Sequence, residues 1–177
     1  MALPDTFYLE QGTAIVWGEA GGSGVTNTLS LDALADGSTR MGASVDLGAE
    51  WNREYLVIVQ VETGTAPTAG RTVDCYLVSS HDNSTWPGGV TGSDGAWPSD
   101  GNEDEWSPQL GNPATTLVAT NDGNVVQTQN AEIWRPKGRY VAPVVDNNLG
   151  QAFRDEATAS NNDSRVILIP IIEKVED

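Results

Sequence analysis

Residues able to do chemistry are scarce in this chain. Its one histidine, His81, and its one cysteine, Cys75, lie six positions apart in what reads as a single extended run. On a strand that separation is about 20 Å, far beyond the hydrogen-bond reach a nucleophile and its base require. Cys75 alternates with Val73 and Leu77 and reads as a buried, inert thiol, whereas His81 precedes Asp82-Asn83 and reads as a turn residue. No Gly-x-Ser-x-Gly elbow is present for a serine hydrolase. One His and one Cys are too few for a zinc site. Asp94, Asp100, Glu103, Asp104 and Glu105 offer hard oxygen ligands for calcium. Their spacing departs from the Asp-x-Asp-x-Asp-Gly loop, so the stretch reads as a solvated acidic loop. A glycosidase needs two carboxylates at a set separation, and 25 Asp and Glu residues leave no pair singled out. Gly21-Gly22-Ser23-Gly24 lacks the lysine and the following helix that would cradle a phosphate. We expect no catalytic residue, no metal and no cofactor.

The aromatic and apolar residues outside regular alternation carry more information. Trp86, Trp97 and Trp106 fall in residues 81–113, a long stretch rich in Gly, Pro and Asp. Either they pack down and pin that loop to the domain, or they stand exposed as a sugar-stacking platform or as anchors for a protein partner. Leu3, Phe7, Tyr8 and Leu9 lie in residues 1–12, which read as an N-terminal arm ahead of a single domain, 13–177. These seven residues are the candidate partner-binding set.

The elements that must position them are strands. Gly (19), Pro (9) and abundant Asn, Asp, Ser and Thr punctuate short β-branched or alternating runs, with no sustained helical period. Strands are expected near 13–18, 25–31, 40–47, 54–62, 71–80, 115–120, 124–129, 131–135, 139–145, 151–154 and 164–175. Tyr55, Val57, Val59 and Val61 form one apolar face, and Val144–Phe153 reads as strand, turn, strand. Pro170 interrupts the run Val166–Ile172, so that strand should lie at a sheet edge or carry a bulge. The one expected helical turn is Leu31–Ala35, ended by Asp36-Gly37. The fold class is therefore all-β, an antiparallel sandwich or barrel.

Composition narrows the partners. With 9 Lys and Arg against 25 Asp and Glu the net charge is −16, which repels phosphate backbones and anionic headgroups. The longest apolar run, Val166–Ile172, is far short of the ~20 residues of a membrane helix. No nucleic acid and no membrane are expected. Met1–Asp5 does not read as a secretory signal.

Ala66–Leu77 followed by Pro87–Asp94, then Gly138-Arg139-Tyr140, Pro143-Val144-Val145 and Gly150-Gln151-Ala152, together resemble virion structural proteins of tailed bacteriophages. The likeness runs over most of the chain from about residue 25. It implies a jelly-roll-like β-sandwich that decorates and cements the outer capsid surface by binding the major capsid protein, commonly as a homotrimer. It transfers no functional residue, because the matching positions are turns and strands. A second reading starts from Ser79–Trp86, a strand leaving into a polar turn with Trp, which is similar to turns in discoidin-like sugar-binding sandwiches. That reading implies a carbohydrate-binding module. A glycan-degrading enzyme stands third, on the many carboxylates alone.

Overall fold

The structure, a computed structural model, describes residues 7–98, 101, 103–155 and 163–175. Along the chain run β1 (Phe7–Gln11), β2 (Ile15–Gly18), β3 (Asn27–Thr28), β4 (Ser38–Met41), β5 (Val45–Asp46), β6 (Glu54–Val61), β7 (Thr72–Ser80), β8 (Gly95–Ala96), α1 (Glu103–Leu110), β9 (Thr115–Val118), β10 (Gln127–Thr128), β11 (Glu132–Trp134), β12 (Tyr140–Asn148) and β13 (Arg165–Val175). They form two sheets. Sheet A has the order β10-β6-β13-β2-β3, with β11 also on β6 and β1 also on β13. Sheet B has the order β8-β4-β12-β7-β9, with β5 also on β12. The pairings are antiparallel except for the short β2–β3 contact.

Several short strands lie end to end on one line: β1 with β2, β4 with β5, and β10 with β11. Setting aside the two-residue edge strands β3 and β8 and numbering the remaining lines in chain order, sheet A reads 6-3-8-1 and sheet B reads 2-7-4-5. Line 1 pairs with 8, 2 with 7, 3 with 6 and 4 with 5. The chain is one long hairpin rolled into two layers, and each layer takes alternate pairs.

Alternation then decides what lies between the layers. Tyr55, Val57, Val59 and Val61 of β6 and Val166 and Leu168 of β13 are at most 2% exposed, as are Val73 and Cys75 of β7 and Val141 and Val145 of β12. With Trp17, Leu29, Leu31, Leu117, Leu149 and Phe153 they make one inter-sheet core. At one end of it Asn147, fully buried, donates from Nδ2 to the Leu34 and Gln151 carbonyls and accepts the Leu149 N–H at 3.1 Å. At another, Arg154 pairs with the buried carboxylate of Glu62.

The proline in β13 marks a bulge. Gln11 opposes Ile171 and Ile15 opposes Leu168, so three residues of line 1 face two of β13. Within a strand, a residue's N–H and C=O point to the same neighbour, and Pro170 O accepts the Gly12 N–H at 2.9 Å. The missing proline donor therefore faces the bulge, where the regular ladder is already broken. A Cβ on Gly12 would lie 2.7 Å from Pro170 Cγ and 2.9 Å from Ile172 Cδ1, so only glycine closes the strand this tightly. The edge placement does not hold, because β13 is flanked by β6 on one side and line 1 on the other.

Three other expectations are corrected. Residues 7–11 are not a free arm: they pair with β13 from Phe7↔Val175 to Gln11↔Ile171. Leu31–Ala35 forms turns, with Ala33 at φ 53°, and its leucines face the core. In 151–154 the ladder is reduced to a single bridge, Phe153 to Thr63.

Candidate functional site

The described residues of 81–113 cover the outer face of sheet B. That face carries Met41, Tyr76, Val78, Ala142 and Val144, apolar residues that would otherwise meet water. Over them fold Trp86, Val90, Trp97, Trp106 and Leu110, a second apolar cluster separate from the inter-sheet core. Trp97 is 6% exposed and its Nε1 donates to the Gly88 carbonyl at 2.6 Å. Trp86 and Trp106 are half-buried. Each lies on a glycine: a Cβ on Gly92 would meet Trp86, and one on Gly89 would meet Trp106, both at 3.0 Å, and both glycines have positive φ. The sequence Trp86-Pro87-Gly88-Gly89-Val90-Thr91-Gly92 thus folds into a ridge that indoles can lie flat against. The tryptophans pin the segment down, and they do not form an exposed platform.

Polar contacts fix the same cap. Arg40 of β4 donates to both oxygens of Asp94, at 3.0 and 2.8 Å, and the Ser30 N–H and hydroxyl donate to them as well. Burial would raise the Asp94 carboxyl, but the Arg40 and Ser30 hydrogen bonds outweigh it and hold the group below its ordinary range. At the cap's start, Asp82 accepts the Thr85 and Ser84 backbone N–H groups at 2.8 and 2.9 Å, which keep it well below the usual carboxylate range. β8 pairs with β4, and α1 opens with Glu103, Asp104 and Glu105, where acidic side chains complement the N-terminal end of the helix dipole.

The acidic residues of this stretch fall in different settings. Asp94 is committed to Arg40 and Ser30; Glu103, Asp104 and Glu105 are exposed on one helical turn; Asp100 lies outside the described residues. Among the described residues no three His, Cys, Asp or Glu side chains gather as metal ligands. Cys75 is buried between the sheets, and desolvation, aided by Asp74, pushes its thiol up to about 12; His81 is exposed beyond the end of β7.

One carboxylate pair does emerge that sequence alone does not single out. Asp74 and Asp146 are directly opposite on β7 and β12. Thr116 donates to Asp74 at 2.6 Å, and Thr39 and Asn148 donate to Asp146 at 2.9 and 2.7 Å. Their partners are hydroxyl and amide donors of the sheet face. Only the strand register brings them together, so the signal that finds them is the pairing of 72–80 with 140–148.

The remaining sequence candidates lie at the other sheet. β6 stops pairing β13 at Glu54↔Ile171, whereas β1 continues to Val175. The far ends of β1 and β13 therefore make a two-stranded ribbon beyond the body of sheet A. Tyr8 and Leu9 point to opposite faces of it and are 46% and 69% exposed. Lys174 and Glu10 pair across it at 2.5 Å. Among the described residues the outer edge of β1 has no strand beside it. Leu3 lies outside the described residues, and Phe7 opens β1. The structure thus separates Trp86, Trp97 and Trp106, in a packed cap on sheet B, from Tyr8 and Leu9, on an exposed ribbon of sheet A.

No protein-family model, curated protein or solved structure matches this chain.

Proposed function

We propose that the chain is a non-enzymatic structural protein of a phage particle, one that decorates the outer capsid surface and cements it by binding the major capsid protein. The observation that carries this reading is the ribbon: a strand pair that exposes Tyr8 and Leu9 on opposite faces, extending from a sandwich in which histidine and cysteine are kept apart. Such a ribbon suits attachment, since its open edge can pair and Tyr8 and Leu9 can be buried on a partner. The strand path 6-3-8-1 over 2-7-4-5 supports the jelly-roll form that the resemblance implies. The sugar-binding reading has less support, because its tryptophans are engaged in packing the cap.

The test is assembly. A homotrimer is expected by sedimentation or light scattering, and the purified chain should co-sediment with undecorated phage shells and raise their melting temperature. A strict monomer at high protein and salt concentration that leaves shells untouched and binds a glycan array would overturn the proposal.

A further inference from the structure

A groove of about 590 Å³ runs between β11 and the Leu110–Ala114 segment that leads from α1 into β9, with β7 beneath it. That volume is in the range of built ligand sites. Its walls include Leu110, Pro113, Ile133 and Trp134, and its lip carries Arg135 and Lys137. Ile133 is 59% exposed. Among the described residues no Asp or Glu lines the groove, although the chain has 25 of them against 9 Lys and Arg. Arg135 reaches Glu54 with its side chain still 75% exposed, and Lys137 has no carboxylate partner among the described residues. Beside this lip, among the described residues β11 pairs only with β6, so every second residue of this three-residue strand turns its N–H and C=O outward, unmatched by another described strand.

We propose that the groove binds an extended acidic segment of a partner protein, which adds to β11 as a further strand. Main-chain hydrogen bonds to β11 supply the affinity, and side chains alternating along the added strand supply the choice. The outward face of the segment sets an apolar residue against Ile133, because Trp134, the next residue, turns to the core beside Tyr55. A carboxylate on the segment meets Lys137. Charge selects the occupant: with Arg135 held by Glu54, Lys137 presents an uncompensated cation at this lip on a molecule of net charge −16, so a basic segment is drawn elsewhere on the surface and an acidic one is tolerated here. The proposal goes beyond capsid attachment and holds without it.

The probes are short fluorescent peptides alternating Val with Glu, Val with Lys, or Ser with Glu, read by anisotropy. The Val/Glu peptide should bind, lose affinity as salt rises, and weaken when alternate backbone nitrogens are methylated. Lys137→Glu and Ile133→Ser should each weaken it by about tenfold or more, with melting temperatures unchanged because both sites are exposed. Equal binding of the Val/Lys peptide would overturn the proposal, as would affinity that both variants leave intact. So would self-association of the wild-type chain that Lys137→Glu abolishes, since the groove would then hold a second copy. Shell binding is scored separately, so either result leaves the capsid reading to its own test.

Discussion

At the scale of single residues, the decisive side chains are those that satisfy other groups. Asn147 holds two carbonyls and one N–H in the core, and Asn147→Ala strands them without water. A loss of about 1–3 kcal/mol is expected, read as a lower urea midpoint at unchanged slope. Nothing in the sequence marks Asn147 as a core residue, because its partner Leu34 is brought to it only by the fold. Cys75 is the contrary case: its alternation with Val73 and Leu77 suffices to place it between the sheets, where burial keeps it a thiol. Asp94 makes stability depend on pH. Its folded carboxyl titrates below its ordinary value, so the contribution is fully present above the unfolded pKa and disappears as pH falls through the folded one. Acid below about pH 4 should therefore loosen the cap. In Asp94→Asn the cap should already be loose at neutral pH and lose this part of its acid response, as monitored by limited proteolysis across a pH series.

At the scale of elements, legibility follows how local the cause is. β6, β7 and β13 lie close to their sequence-predicted bounds, since alternation over eight or more residues is written in the strand itself. α1 escapes the sequence reading because its Trp and Pro suggest a loop, although three acids ahead of Gly111 are a start and a stop signal. β1 reads as an arm because its partner, the end of β13, is at the far end of the sequence. This pairing alters the expected outcome of removing residues 2–10. An unpaired arm could go without thermal consequence, whereas loss of Phe7–Glu10 removes the strand paired with Ile172–Val175. The monomer should melt a few degrees lower and lose shell attachment as well, by scanning calorimetry and co-sedimentation. The cap is a second such element. Trp97→Ala removes the indole at its centre, at about 3–5 kcal/mol. Amide exchange should rise through 81–113 and the outer face of β4 while Val57, Val59 and Val166 stay protected, because the two apolar clusters are separate.

At the scale of the whole molecule, charge and topology set the terms. Three copies bring together three times the −16 of one chain, so a trimer must form against repulsion. Raising salt screens exposed charges and should strengthen it, seen as a rising trimer fraction in sedimentation runs at several salt concentrations. A fraction that falls with salt would mean the contact is built on opposite charges. The rolled hairpin also governs the order of events during synthesis. Line 1 has its only long partner in β13, so Trp17 and Ile15 emerge from the ribosome and wait while nearly everything between is translated. Even the innermost pair, β7 with β9, is separated by the whole cap. With so few neighbours in sequence becoming neighbours in space, folding should be slow, on the order of milliseconds to seconds. A nascent chain held just before β13 would carry line 1 as an unclaimed apolar strand, open to whichever chaperone or sister chain reaches it first.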